Sequence, residues 1–321
     1  LLCDAPKLEQ SAYAFQYADS QPFPEEIEEW FQYSEFDQVM LLGMKTSWEL
    51  KWGAFCEREA SGSRALSWID APYELRKSFM CHVLSTLRDA DFPARVEALE
   101  VVCYAVTGVW GDTAGKPVEQ YPAAPTREMD AETPKLKSMQ IKWMENNVSL
   151  LQECSGISSL LEHLSRVFDK NRDPPSADSD GVESGNKISA RAAESEREAN
   201  LLLTALYFVV EVGRRQESHD PRHTPVRDVL TCSNPSLLVL LVEIIARLRW
   251  DDSANIPLTR IILLFWKSLL LFFGGSESLS RAKEELEPFH EGRRNVLSRR
   301  TPFLTASPLD YHVFRQEITS K

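Results

Sequence analysis

The chain has 321 residues, 43% of them hydrophobic, enough to bury one large core or two smaller ones in series. A formal net charge of −12 argues against a nucleic-acid surface, which needs a dense basic stripe, and against broad adhesion to anionic lipid. Gly is scarce at 13 residues, and the 18 Pro fall mostly between apolar runs, as in many helices joined by short, stiff turns.

Residues 22–34 predict a short acidic helix opened by Pro22 and Pro24, with Glu25, Glu26, Glu28 and Glu29 where the helix dipole favours them. Trp30, Phe31 and Tyr33 form an aromatic cluster that either packs or docks a partner, and aromatics more often pack. A second helix over 36–58 carries Phe36, Val39, Met40, Trp48, Leu50, Trp52 and Phe55, and Ser61-Gly62-Ser63 breaks it. Pro72 then opens a helix to about Arg88, with Leu75, Phe79, Val83 and Leu87 on one side. The clearest period lies at 93–110, where Val96, Leu99, Cys103, Val106 and Trp110 recur at alternating steps of three and four. Gly111 and Gly115 are expected to stop that helix, and residues 112–134, rich in Pro and Thr, read as a long loop. Ile141, Met144, Val148 and Leu151 mark the next helix, Gly156 breaks it, and Ile157, Leu160, Leu161, Leu164 and Phe168 mark its antiparallel partner.

Over 171–195 large apolar side chains nearly vanish, so the segment buries too little to offset its ordering entropy and reads as a disordered insertion. Ser179 and Ser184 stand there beside acidic residues as candidates for phosphorylation. Leu201 to Val212 is apolar almost all round, the pattern of a fully buried helix. Asn234-Pro235 offers an N-cap and a first helical residue for a helix to Trp250. Pro257 starts another, Gly274-Gly275 ends it, and Ser276 caps a last helix bearing Leu279, Ala282 and Leu286. From Pro288 the chain is basic, Pro-punctuated and expected to be extended. This divides it into a helical domain over 1–290 and a basic segment over 291–321. In that segment Arg293, Arg294, Arg299 and Arg300 surround Ser298, and Thr301-Pro302 and Ser307-Pro308 follow. Such a strip docks on an acidic partner or a phosphate, and phosphorylation at Ser298, Thr301 or Ser307 cancels part of its charge. A merely solvated tail is the competing reading.

Strand signals are nearly absent. Some ten helices in succession predict an all-α fold, an α-solenoid of stacked helical hairpins, with a globular helical domain as the alternative. No clean repeat period is visible. The chain begins with Leu1 and stops at Lys321 in mid-pattern, which reads as a piece of a longer protein, and no apolar signal sequence opens it. The run from Pro257 to Phe273 is shorter than the ~20 apolar residues of a membrane span, and Arg260 and Lys267 interrupt it.

Chemistry finds little purchase. Gly111 to Pro117 falls one residue short of a phosphate loop, puts Pro117 where the hydroxyl belongs, and follows no strand. His219 and His223 stand four apart, but Pro221 lies between them and no cysteine is close, so a solvated loop is favoured over a metal site. The six Cys form no CxxC and read as reduced thiols, mostly inside apolar helical runs. Asn147-Val148-Ser149 is a glycosylation sequon inside a predicted helix, read as chance. No catalytic, metal or cofactor residue emerges. An enzyme whose site assembles only in three dimensions, or a membrane-associated adaptor using 257–273, stays open as an alternative.

Several segments, taken together, resemble the N-terminal domain of the striatin-interacting protein family and its fungal Far-complex counterparts. They are Phe15–Glu35, Val101–Asp112 ("VVCYAVTGVWGD"), Asn146–Leu164 ("NNVSLLQECSGISSLLEHL"), Leu202–Glu211, Ile256–Leu279 and Ala306–Lys321, in the family's order. The most specific feature is Trp266-Lys267-Ser268 followed by Gly274-Gly275. The resemblance implies an armadillo-like, non-enzymatic scaffold of the striatin-interacting phosphatase and kinase assembly, serving signalling, cell-cycle arrest and development. It implies as partners striatin, the scaffold and catalytic subunits of protein phosphatase 2A, a Mob-family protein, germinal-centre-type kinases and a tail-anchored membrane partner. It also implies a cytoplasmic protein, peripheral at the endoplasmic reticulum, nuclear envelope or Golgi through those partners. An inositol polyphosphate is compatible with the family, but no residue of this sequence is assigned to it.

Overall fold

The computed structural model describes residues 18–32, 34–59, 66–89, 91–117, 138–168, 184–219, 225–248 and 257–297, some helix ends by their backbone alone. The helices in chain order begin with α1 (Phe23–Glu29), α2 (Glu35–Glu59), α3 (Tyr73–Asp89), α4 (Phe92–Val106) and α5 (Trp110–Thr113). α6 (Met139–Glu153), α7 (Gly156–Val167), α8 (Ser184–His219) and α9 (Pro225–Cys232) follow. α10 (Leu237–Leu248), α11 (Leu258–Phe273) and α12 (Ser276–Leu297) complete them. Among the described residues no strand forms, and backbone pairs only at an isolated antiparallel bridge between Pro117 and Ser138. The all-α class is as expected.

A helix that is apolar on every face must lie among other helices. Residues 98–109 and 198–213 are buried without interruption, so α4 and α8 sit at the centre. α2, α3 and α6 pack on α4, which itself meets α8, while α7, α9 and α11 pack on α8. Aromatic rings fill the space between α2 and α3. Trp68 stands edge-on to both Trp48 and Trp52 at 4.9 Å. Its indole donates to Asn147 Oδ1 at 3.0 Å, and Asn147 Nδ2 donates to the Ala105 carbonyl at 2.7 Å. The sequon asparagine is therefore a buried strut between α6 and α4, which removes it as a glycan acceptor.

Several boundaries differ from expectation. α4 ends at Val106, and the turn is made by Gly108 (φ 83°) and Val109 (φ 59°), while Gly111 lies inside α5. A Cβ on Gly108 would meet the Gln140 carbonyl at 2.6 Å, so the turn depends on its absence. Between α6 and α7 the left-handed residue is Ser155 (φ 57°), and Gly156 opens α7. α10 starts at Leu237 rather than after Asn234, with the Ser236 carbonyl accepting the Leu240 amide at 3.0 Å. α9 went unread.

α8 begins at Ser184, so the second half of the segment expected to be disordered over 171–195 is helical; residues 171–183 lie outside the described residues. Its Ala190, Ala192, Ala193 and Glu194 are strong helix formers, and the buried helix ahead propagates back through them. The described residues up to Phe273 form one packed unit and those from Gly274 a second. Within the second unit α12 runs on through Pro288 to Leu297, so the extended segment expected from there is helical to that point. Helix formers such as Ala282, Glu284 and Glu285 precede Pro288 and outweigh its one missing amide.

Candidate partner-docking site

α1 carries Phe23 and Ile27 one turn apart, and both are buried with Phe31 just beyond, while Glu25, Glu28 and Glu29 face solvent. Glu26 turns inward: its Oε2 accepts from Lys267 Nζ at 2.6 Å. Lys267 is only 2% exposed and also lies 3.1 Å from Glu211 Oε1, which accepts from Arg214 at 2.8 Å. Two cations and two carboxylates thus meet where α1, α8 and α11 converge, which meets the requirement that a buried charge be paired. On either side of Lys267, the Trp266 indole donates to the Asp19 carbonyl at 3.0 Å and Ser268 Oγ to the Leu264 carbonyl at 2.7 Å. Trp266 and Lys267 thus tie α11 to α1 and the residues just before it, while the Ser268 bond stays within α11. A tie from α1 to α11 goes beyond the nearest-neighbour contacts of a linear helical stack.

Trp30 stacks on Tyr207 with centroids 4.2 Å apart and tilts against Phe208 at 5.3 Å. The Arg260 guanidinium lies 5.7 Å from the Trp30 ring and donates to Asp37 Oδ1 and Thr204 Oγ1. Burial pulls the Arg260 pKa below its usual value, and the Asp37 carboxylate opposes it. Burial, followed by the Glu211 carboxylate, pushes the Tyr207 hydroxyl far up.

Above this pair opens a groove of about 400 Å³ lined by Trp30, Phe36, Asp37, Leu258, Arg260 and Leu263, among others. The Trp30 indole N–H is buried at its edge without a hydrogen-bond partner. From the groove an exposed apolar line follows α11 through Leu258 (51% exposed), Ile262 (45%), Trp266 (44%) and Phe273 (69%). Phe36, Val39 and Leu42 add a second exposed apolar group on α2, and Glu35 joins the exposed acids of α1. Helical steps of four residues put Leu258, Ile262 and Trp266 on one stripe. An exposed apolar stripe beside charged side chains is the kind of surface that contacts a protein, a membrane or a ligand.

The nearest approach to catalytic machinery is Glu198 Oε1, which accepts from Arg95 at 2.8 Å and meets His163 Nε2 at 2.9 Å. Burial alone would raise the Glu198 carboxyl, but the hydrogen bonds and charges of His163 and Arg95 hold it below the usual carboxylate range. Glu198 and His163 are fully buried and join α8 to α7, so the trio acts as an internal brace. Among the described residues no three His, Cys, Asp or Glu are placed to hold a metal ion. The Gly111 amide donates to the Tyr104 hydroxyl at 2.9 Å, so the phosphate-loop lookalike is tied to the core. Burial pushes that hydroxyl up to about 12. No single helix among the described residues is long and apolar enough to cross a membrane.

Of the residues singled out in the sequence, Trp30 and Phe31 are packed, the latter edge-on to Trp110 at 5.0 Å, while Trp30 also lines the groove. Arg293 and Arg294 fall within the backbone of α12, and Ser184 is the first residue of α8. Tyr33, Ser179, Ser298, Arg299, Arg300, Thr301 and Ser307 lie outside the described residues, as does His223. Arg260, Asp37, Lys267 and Glu26 were missed as site residues. Their signal was Arg260 and Lys267 themselves, two charges in an apolar helix that had to find partners.

The chain matches the protein family described as N1221-like protein over residues 11–321. It is similar to "Striatin-interacting protein 1 homolog" of Danio rerio, 22% identical over 290 residues, covering 88% of this chain and 30% of that protein. "Striatin-interacting proteins 2" of Mus musculus is 24% identical over 326 residues, covering 96% of this chain and 33% of that protein. "Striatin-interacting protein homolog" of Dictyostelium discoideum is 35% identical over 54 residues, 17% of this chain and 6% of that protein. The chain spans about a third of the length of the curated relatives it matches along most of its course.

Proposed function

We propose, because this chain belongs to the N1221-like family of striatin-interacting proteins, that it is a non-enzymatic scaffold that offers helical surfaces to striatin. The observation that carries the reading is the apolar line Leu258, Ile262 and Trp266 with its groove and acidic border. Such a surface suits a partner helix that brings an apolar stripe of its own. In this reading the protein helps to organise protein phosphatase 2A, a Mob-family protein and germinal-centre-type kinases around striatin. A tail-anchored partner holds it at an endomembrane from the cytoplasmic side. Phosphorylation at Ser179, Ser184, Ser298, Thr301 or Ser307 tunes the assembly, and no cofactor takes part.

The test is a pulldown of the purified chain with purified striatin, phosphatase scaffold subunit and Mob-family protein, with light scattering to fix stoichiometry. Binding to striatin is expected, and Ile262→Glu on the exposed stripe should weaken it at least tenfold, about 1.4 kcal/mol. A folded chain that binds none of the three, or binding indifferent to Ile262→Glu, overturns the reading.

A further inference from the structure

Cys81 lies exposed on α3, and Cys154 caps the C-terminal end of α6, half-buried. Their sulfurs are 3.1 Å apart although 73 residues separate them along the chain. A disulfide bond is ~2 Å long, so rotation of the side chains can close most of the difference. The contact is framed by polar ties: the Tyr73 hydroxyl and the Lys77 ammonium, both on α3, bond Glu153 Oε2, the latter at 3.1 Å. The two thiols therefore belong to a fixed junction of α3 with the α6–α7 turn. Among the described residues no third ligand stands ready to make this a metal site. Two adjacent thiols, at least one open to solvent, are chemically a redox pair.

We propose that Cys81 and Cys154 form a dithiol site that a peroxide converts to an intramolecular disulfide. Exposure decides the order of events. The Cys81 thiolate attacks a peroxide oxygen and the O–O bond breaks, giving a sulfenic acid and water (or an alcohol, from an organic peroxide). The Cys154 sulfur then attacks the Cys81 sulfur, the S–O bond breaks, and a second water leaves with the Cys154 proton. The thiols lose two electrons and two protons in all, and the peroxide takes both. Cys154 is the poorer first nucleophile, because burial, reinforced by Cys81, pushes its thiol up to about 12. Buried Cys56 and Cys103 are withdrawn from solvent, and exposed Cys232 serves as an internal reference.

Trypsin separates the pair, since residues 78–88 and 143–166 each follow and end on a basic residue and hold one cysteine apiece. The full chain is treated with hydrogen peroxide, blocked with N-ethylmaleimide and digested without reduction. The expected product is the two peptides joined, lighter than their sum by two hydrogens and abolished by dithiothreitol, more than tenfold over any other cysteine pairing. Cys154→Ser should leave Cys81 as a sulfenic acid that dimedone traps, and Cys81→Ser should leave Cys154 alkylatable at the same dose. Recovery of both wild-type peptides as maleimide adducts, at a dose that oxidises Cys232, overturns the proposal. So does joining only between separate chains on a non-reducing gel. The wild-type readout needs no variant, so a misfolded substitution cannot decide the matter.

Discussion

A lysine that is 2% exposed is held by its partners, and Lys267 has two carboxylates within reach, Glu26 at 2.6 Å and Glu211 at 3.1 Å. Removing the cation leaves half-buried Glu26 without its partner and buried Glu211 with Arg214 alone. Lys267→Met should therefore cost ~3–5 kcal/mol, read as a lower midpoint in urea. An indifferent midpoint would mean that water already reaches the cluster. Glu198 gives a pH signature. Its carboxyl titrates lower in the folded chain than the ~4.3 of an unfolded one. Its contribution to stability is thus complete above that value and lost as pH falls through the folded one. Urea midpoints taken from neutral to acid should fall less steeply for Glu198→Gln than for the wild type across that window.

At the scale of helices, Gly156 illustrates what a pattern hides. An added Cβ would lie 2.3 Å from Leu151 Cδ1 and 2.9 Å from the Leu151 carbonyl, so Gly156→Ala should destabilise by ~1–3 kcal/mol in the same assay. The sequence pointed to a glycine break at that place, yet Ser155 takes the left-handed backbone and Gly156 serves close packing. Helices with a single apolar stripe, such as α3 and α7, were legible because burial on one side forces the period. The ends were not, because they depend on side chains arriving from elsewhere, as Gln140 does on the Thr107 carbonyl at 3.1 Å. α9 was too short, at eight residues, to establish a period among its neighbours. The Trp-Lys-Ser run was visible as a distinctive string, but its task as a fastener was not, since Glu26 and Asp19 lie far off in the chain. The sulfur pair was hidden for the same reason.

For the whole molecule, composition already pointed to helices, few glycines and an acidic surface. Where the acids would face was beyond it. The structure sets Glu25, Glu28, Glu29 and Glu35 in solvent on the helices that carry the exposed Phe36 or pack beside the apolar line of α11. The buried tie between Lys267 and Glu26 spans 241 residues of chain. Translation at roughly 5–20 residues per second separates the birth of these two side chains by about 10–50 s. Glu26 leaves the ribosome long before α11 exists to supply its ammonium partner. Until then that carboxylate waits in α1 without the charge that pairs it, and synonymous codons that slow the intervening stretch lengthen the wait.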